Sequence, residues 1–277
     1  MTSIEIKDLE KKCTEIRKDI LVMADAAGES GLHFGGSLSM VEIAAVLYLK
    51  VMDINKENIT SEKRDRLVLS KGHGVPAIYA VLKQKGILNE KDLQTFKSDN
   101  TFLYGHPCLN RNIGIEFSTG SLGQGLSLGV GTALALKYKN NNKPRVFVIL
   151  GDGECNEGSV WEAAMSASKY NLDNLIVIID RNNIQYDGYT KDVMPLNNLN
   201  LKWESFGWDV YEIDGHNIGQ CYNLFSKSNS RPMAVIANTV KGKGISFMEN
   251  IPEWHHSKMT EVQRKQAWEE INNGCCI

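Results

Sequence analysis

The sequence predicts an α/β fold, a doubly wound and mostly parallel sheet with helices on both faces. Residues 145–150, 174–179 and 233–240 form short apolar runs that alternate with segments of helical periodicity. Strands without apolar–polar alternation are typical of parallel sheets buried on both faces, and the intervening helices provide the crossovers that parallel strands require. The length of 277 residues suits one such domain, which we expect to span residues 1–277.

Helices and strands follow from the spacing of apolar residues along the chain. Between Leu9 and Ala27 these residues recur every three or four positions, which predicts a first helix that ends near Gly28. The same reasoning predicts helices at 39–51, 75–85, 90–97, 118–138 and 218–226, strands at 66–69 and 208–213, and a loop at 181–188.

Two further helices are expected to begin at capping boxes, in which a Ser or Thr and a Glu or Gln three residues later bond to the backbone of the first turn. The pairs are Ser159 with Glu162 and Thr260 with Gln263. The second of these helices is expected to end near Gly274.

Charge and composition argue against several classes of function. The chain has 31 Lys and Arg residues against 33 Asp and Glu residues, so it lacks the broad basic surface that binds nucleic acids. Its longest apolar runs, residues 146–150 and 175–179, are too short to cross a membrane, and its N-terminus is charged where a secretion signal is apolar. We therefore expect a cytoplasmic protein without a nucleic-acid or membrane partner. Its six cysteines lack metal-binding spacing and are expected to be reduced thiols.

Polar residues follow two successive apolar strands. Asp152, between Gly151 and Gly153, ends one strand, and Asn182 lies thirty positions later, after the next strand. One helical crossover fits in that interval, so both side chains are expected at the carboxyl edge of the sheet, where ligands bind. A carboxylate and an amide oxygen suit Mg²⁺, with phosphate oxygens completing the shell. A Gly-Asp-Gly sequence alone is typical of a simple turn, but its combination with this spacing predicts a metal–diphosphate site.

The histidines are a second feature of the sequence that indicates a binding site. Most of the six lie in loops that contain glycine or proline: His33, His73, His106, His255 and His256. A single histidine is more often a structural, hydrogen-bonded residue than a catalyst. Several histidines above a metal–diphosphate site would form a polar funnel suited to sugar hydroxyl groups, because imidazole donates hydrogen bonds and exchanges protons near neutral pH.

The segment 118–138 contains five glycines although its pattern is helical. Each glycine in an exposed helix costs about 1 kcal/mol relative to alanine, which indicates that a backbone or a ligand packs closely against it. Tight packing in the core accounts for Gly129 and Gly131. It accounts less well for the turn from Gly120 to Gly123.

Residues 151–188, GDGECNEGSVWEAAMSASKYNLDNLIVIIDRNNIQYDG, resemble the thiamine diphosphate motif in the version found in transketolases. Other blocks match that family in the same order, namely RDRLVLSKGHG, GHP, STGSLGQGLSLGVG and KGKGISFMEN. The resemblance covers about residues 10–265, and several ordered blocks are far more specific than one glycine motif.

The resemblance implies a thiamine diphosphate-binding fold and a set of cofactor residues. Asp152, Asn182 and the Ile184 carbonyl would bind Mg²⁺, for which Ca²⁺ or Mn²⁺ could substitute. The implied cofactor contacts are His73, Gly120, Leu122, Gly153 and Glu157, together with Asn182 and Ile184.

The resemblance also implies that His33, His106 and His255 bind sugar hydroxyls or move protons. Glu157 and Glu162 would be acidic residues of an interface between subunits, close to the cofactor. His256 departs from many relatives, which have glycine after the matching histidine, and Ser121 replaces a proline found in some. Both differences leave the identity of the sugar open.

The implied reaction is the transfer of a two-carbon ketol unit from a ketose phosphate to an aldose or aldose phosphate. The family's pyrimidine-binding and C-terminal domains are not in this sequence. We therefore expect a split transketolase, in which a partner subunit supplies both domains and the two chains form an α₂β₂ heterotetramer.

Three alternatives stay open. A deoxyxylulose-phosphate-synthase-like carboligase shares the Leu32-His33-Phe34 loop, although such enzymes are long single chains. The α subunit of a 2-oxo acid dehydrogenase shares the metal motif but lacks the Ser-Lys-Gly-His and Gly-His-Pro blocks. A non-catalytic regulatory subunit would not require the Asp152 and Asn182 pair.

Overall fold

A five-stranded parallel sheet forms the centre of the computed structural model, which describes residues 1–139 and 144–274. The strands are β1 (Arg66–Leu69), β2 (Val146–Gly151), β3 (Leu175–Arg181), β4 (Ile184–Gln185), β5 (Gly188–Tyr189), β6 (Asp209–Asp214) and β7 (Met233–Asn238). The sheet has the order β1-β2-β3-β7-β6, and β4 and β5 form a separate antiparallel pair. The register places Gly151 of β2 beside Asp180 of β3, so both strands end at one edge.

The helices are α1 (Ser3–Ala27), α2 (Phe34–Leu38), α3 (Val41–Val46), α4 (Val75–Gln84), α5 (Glu90–Leu93), α6 (Gln124–Lys139), α7 (Gly158–Lys169), α8 (Thr190–Val193), α9 (Leu199–Ser205), α10 (Ile218–Phe225) and α11 (Glu261–Asn272). A single π-helical turn, Leu47–Val51, follows α3.

Apolar side chains cover both faces of the sheet. Along β2, Phe147 and Ile149 pack into a core with α1, α3, α4 and α10. Val146 and Val148, which alternate with them, pack on the opposite face against α6, α7 and α9. The predicted doubly wound class is therefore confirmed, because every strand of this sheet is parallel and helices cover both faces.

Several predicted boundaries need correction. The helix predicted at 39–51 is broken, since the Ser39 hydroxyl donates a hydrogen bond to Asp180 and Met40 leaves helical geometry. The helix predicted at 90–97 ends at Leu93, and the one predicted at 118–138 begins only at Gln124. The loop predicted at 181–188 contains the first strand of the β4–β5 hairpin, and α9 lies in a region that apolar spacing did not assign.

Only one of the two predicted capping boxes forms. Thr260 and Gln263 bond reciprocally at the start of α11, as expected. The box at Ser159 and Glu162 is wrong: α7 begins one residue earlier, and the Ser159 hydroxyl donates to the Gly123 carbonyl at 3.0 Å instead.

The described part of the chain contains no helix with the length and hydropathy of a membrane span. Cys13, Cys108, Cys155 and Cys221 are free thiols, as expected, whereas Cys275 and Cys276 lie outside the described residues.

Candidate functional site

A cavity of about 380 Å³ opens at the carboxyl ends of the central strands. It brings together all eleven residues that the sequence analysis singled out for cofactor, metal or catalysis: His33, His73, His106, Gly120, Leu122, Asp152, Gly153, Glu157, Asn182, Ile184 and His255. These residues come from widely separated stretches of the chain, so their convergence is a product of the fold. A larger cavity of about 680 Å³, between α1, β6 and α10, contains none of them.

Asp152 lies at the centre of this site and is 3% exposed. One carboxylate oxygen accepts a hydrogen bond from Gly153 N at 2.9 Å, and the other accepts from Asn183 N at 2.7 Å. Burial and the nearby carboxylate of Asp180 raise the pKa of Asp152 to about 6. Asp152 forms no ion pair with a side chain of the described residues, so this buried carboxylate is suited to a cation from outside the chain.

Asn182 and Ile184 are held beside Asp152 by the tight turn after β3. The Asn182 side-chain oxygen accepts a hydrogen bond from Ile184 N at 3.2 Å, and Asn183 between them has a φ of +63°. The Ile184 carbonyl accepts from Lys241 Nζ at 2.7 Å. Among the described residues, no group of three or more His, Cys, Asp and Glu side chains is arranged to hold a metal ion.

Two buried lysines were missed by the sequence analysis. Lys71 is 1% exposed and forms an ion pair with Asp180, which also accepts hydrogen bonds from Ser39 and Thr239. Burial alone would raise the pKa of Asp180, but the Lys71 ammonium and the two hydroxyls hold it below its ordinary value. Sequence could not single out Lys71, because its partner lies 109 positions away.

Lys241 is the second buried lysine and is 2% exposed. Its ammonium contacts His255 Nδ1 at 3.1 Å in addition to the Ile184 carbonyl. Burial and the neighbouring Lys71 lower the pKa of Lys241 to about 8, so it stays mostly protonated at pH 7. Since an ammonium only donates, His255 Nδ1 accepts, and its Nε2 carries the proton.

The predicted histidines form a continuous row, with His33 in the middle. The His33 ring centroid lies 5.7 Å from that of His73 and 5.6 Å from that of His255. Toward solvent, it lies 5.2 Å from His106 and 4.4 Å from His256. His106 and His256 are exposed and the other three are half-buried, and all of them except His256 line the cavity.

Burial determines the charge state of these rings. It is the largest cause that lowers the pKa of His33 and of His255 to about 3, and neighbouring histidines or lysines lower each further. The pKa of His73 is lowered in the same way, by burial and then by Lys71. At neutral pH these rings are uncharged, so each can donate one hydrogen bond and accept another.

The glycine-rich turn borders the cavity on one side. Gly120 has a φ of +153°, and a Cβ there would lie 3.3 Å from the His106 ring. Gly123 donates its N–H to Glu154 at 2.8 Å, and its φ of +84° favours glycine. In the helix that follows, a Cβ at Gly129 would lie 2.4 Å from Val148, whereas Gly131 faces open space. Core packing therefore explains Gly129 but not Gly131.

The cavity is not lined by Ser121, Glu162, His256 or the sixth histidine, His216. His216 bonds Glu42 through Nδ1 and accepts from Val240 N through Nε2, so it is a structural histidine. Glu162 is exposed on α7, whereas Glu157 lines the cavity.

Comparison with known proteins gives one consistent result. Residues 10–271 match the family described as transketolase, thiamine diphosphate binding domain. One subunit of the apulose-4-phosphate transketolase of Actinobacillus succinogenes is 41% identical over 98% of both chains. The 6-deoxy-6-sulfo-D-fructose transketolase subunit SqwG of a Clostridium species is 43% identical over 95% of this chain and 96% of that protein.

Longer relatives match over part of their length. Human transketolase is 36% identical over 90% of this chain, which spans 40% of the human protein. The crystal structure of transketolase from Campylobacter jejuni superposes with a TM-score of 0.88 at 30% identity, covering 98% of this chain and 43% of that one. The chain therefore belongs to the transketolase family, as its N-terminal, thiamine diphosphate-binding part.

Proposed function

We propose that this chain is the cofactor-binding subunit of a two-subunit transketolase, which transfers a two-carbon ketol unit from a ketose phosphate to an aldose or aldose phosphate. The observation that carries the proposal is the convergence of eleven residues, chosen from sequence, on one cavity at the carboxyl edge of the sheet. Family membership supports a transferase of this class. The two split relatives are named for different sugars, so the donor and acceptor are proposed only as classes.

The residues at the site fit a divalent cation of the Mg²⁺ type. Asp152 supplies a buried carboxylate without a cationic partner among the described side chains, Asn182 an amide oxygen and Ile184 a carbonyl. One carboxylate with neutral oxygens is typical of Mg²⁺ sites that use substrate phosphates as further ligands. Ca²⁺ or Mn²⁺ would suit the same oxygen donors.

The site also fits a diphosphate group. The buried ammonium groups of Lys71 and Lys241 face a cavity bordered by Gly153, where a Cβ would lie 3.0 Å from Gln185. The absence of a side chain lets a phosphate approach the backbone. In this proposal His73, Gly120, Leu122 and Glu157 provide the other contacts to the cofactor.

Thiamine diphosphate supplies the nucleophilic carbon on which ketol transfer depends. The chain's own residues bind and orient the sugar. His255 presents an Nε2–H to the cavity because Lys241 fixes its Nδ1 as an acceptor. His33 and His106 line the path to the mouth, where neutral imidazoles donate to sugar hydroxyls and can pass protons between them.

The single domain of residues 1–277 is proposed to act only with a partner subunit. That partner would supply the pyrimidine-binding and C-terminal domains, in an α₂β₂ heterotetramer. The relatives that are themselves named as transketolase subunits support a second chain.

The test uses the chain isolated from its native cells together with the protein that co-elutes. Ketol transfer should depend on thiamine diphosphate and Mg²⁺, and Asp152→Asn should lower the affinity for Mg²⁺ by roughly 100-fold or more, since changes even around a ligand cost 10- to 100-fold. Asp209→Asn, a surface carboxylate paired with Arg231, is the matched control and should change nothing.

Two results would contradict the proposal. Unchanged Mg²⁺ and cofactor affinity in Asp152→Asn would refute the metal site. An assembled complex that binds no cofactor would favour a regulatory role, and decarboxylation of pyruvate without a sugar donor would favour a carboligase of the deoxyxylulose-phosphate-synthase type.

A further inference from the structure

Glu154 is a buried carboxylate that lines the cavity two residues after Asp152. It is 2% exposed. One of its oxygens accepts hydrogen bonds from the Ser70 hydroxyl and from Gly123 N, the latter at 2.8 Å. The other oxygen accepts from Gly151 N at 3.0 Å. A carboxylate that has lost its hydration needs such donors, so these three bonds are what allows it to be buried here.

The three donors belong to three separate segments of the chain that border the cavity. Ser70 follows β1 and lies 84 positions before Glu154, whereas Gly123 ends the glycine-rich turn and lies 31 positions before it. Gly151 ends β2 and directly precedes Asp152. Each segment carries residues that we propose to contact the cofactor or the metal, so a single side chain connects all three.

The position of the glycine-rich turn depends on side chains from outside it. Gly123 donates its N–H to Glu154, and its carbonyl accepts from the Ser159 hydroxyl at 3.0 Å. Two residues later, Gly125 N donates at 3.1 Å to the Ser70 oxygen, whose own proton goes to Glu154. Glycine adopts a positive φ, as Gly123 does here, but is not restricted to it. The backbone alone therefore does not fix the turn, and these hydrogen bonds do.

We propose that Glu154 is a positioning residue, which holds the turn of residues 120–123, the segment after β1 and the end of β2 in the arrangement that binds thiamine diphosphate. The inference rests on the proposed function and adds a residue that acts through its neighbours. Gly120 and Leu122, which line the cavity, are then in place before the cofactor arrives. A site ordered in advance avoids the cost of ordering the turn on binding.

The experiment compares Glu154→Gln with Glu212→Gln in the complex of this chain with its partner. Both variants replace a carboxylate oxygen by an amide nitrogen that cannot accept a hydrogen bond. Glu212 accepts from three side chains as well, but it is exposed on β6 and does not line the cavity, which makes it the matched control. Calorimetric titration with thiamine diphosphate in the presence of Mg²⁺ should show binding to Glu154→Gln that is weaker by roughly 10- to 100-fold, the range expected for one hydrogen bond to a charged group. Glu212→Gln should bind like wild type.

Steady-state kinetics separate positioning from a simple loss of folded protein. In Glu154→Gln the cofactor concentration that gives half-maximal activity should rise by a similar factor. The effect on kcat at saturating cofactor should be the smaller part, because the bound cofactor itself orders the turn. A loss of folded protein would instead lower kcat alone. Unchanged cofactor affinity with a normal urea midpoint, or a loss confined to kcat, would overturn the proposal.

Hydrogen exchange of the complex without cofactor gives a readout that does not require binding. Peptides that span residues 118–128 should exchange faster in Glu154→Gln than in wild type, while peptides of β3 should be unchanged. Equal exchange of the 118–128 peptides in the two proteins would overturn the proposal.

A second variant covers the case in which Glu154→Gln does not fold. Ser70→Ala removes one of the three donors and should change both exchange and cofactor affinity in the same direction, to a smaller extent. No change in either would overturn the proposal. If the wild-type complex binds thiamine diphosphate but transfers no ketol unit, the proposed function fails, and the calorimetric and exchange comparisons still decide the role of Glu154.

Discussion

The floor and the mouth of the cavity use lysine and histidine in opposite ways. At the floor, Lys71 is buried and neutralised by Asp180, and Lys241 is fixed between a carbonyl and His255. Beside the mouth, where the exposed His106 lines the cavity, Lys97 packs against Gly105 and has no carboxylate partner among the described residues. The charge of Lys71 is therefore compensated within this chain, whereas that of Lys97 is not compensated by any described carboxylate.

The largest expected effect tests this contrast through the two lysines. Lys71→Met leaves Asp180 as an uncompensated buried charge, which typically costs roughly 3–5 kcal/mol. Lys97→Met removes no buried partner, so we expect about 1 kcal/mol or less. The free energy of unfolding of each variant, from urea titrations, is the measurement. Similar losses of unfolding free energy in both variants would show that Lys97 contributes as much to stability as Lys71 does.

This difference also explains what sequence could predict. Apolar runs followed by glycine and polar residues located Asp152 and Asn182, because the ends of parallel strands necessarily meet at one edge. The buried role of Lys71 could not be read in this way, since it depends on Asp180 reaching it across the sheet from 109 positions away. Sequence alone does not show that Lys71 and Lys241 are buried whereas Lys97 is only half-buried.

The errors in the predicted helix boundaries had a similar origin. The capping box at Ser159 matched the pattern, but in the structure its hydroxyl is used by Gly123, a tertiary contact. The break at Ser39 arises because its hydroxyl reaches Asp180. Polar side chains near the site thus form hydrogen bonds with distant residues rather than with the backbone of their own helices. Local sequence patterns do not encode such tertiary contacts.

A second prediction compares the histidines at the two ends of the row through the pH dependence of stability. The pKa of His255 falls to about 3 on folding, so the unfolded state binds more protons below about pH 6.5 and stability falls as the pH is lowered. At pH 5 this costs at most about 2 kcal/mol. His255→Asn should therefore lose less stability than wild type between pH 7.5 and pH 5.

His256→Asn is the control for this experiment. His256 is exposed and its pKa is lowered less deeply, so its replacement should leave the pH dependence closer to that of wild type. Other titrating groups, Asp152 included, are common to both variants and cancel in the comparison. An identical slope in wild type and His255→Asn would show that burial of this ring does not oppose its protonation.

The smallest expected change in stability concerns two glycines. A Cβ at Gly36, at the floor, would lie 2.6 Å from the His73 ring. We expect Gly36→Ala to push that ring into the cavity, with a stability change within about 1 kcal/mol, because alanine favours the helix that contains it. Affinity for thiamine diphosphate should fall, since His73 would occupy space that the cofactor needs.

The counterpart beside the mouth is Gly105, where a Cβ would meet only the Lys97 side chain, with Cε at 2.6 Å and Nζ at 3.5 Å. That side chain is half-buried and flexible, so Gly105→Ala should alter neither stability nor cofactor affinity. Calorimetric titration of thiamine diphosphate against both variants measures the two affinities. Loss of cofactor affinity in Gly105→Ala would show that the floor and the mouth act as one unit rather than as two.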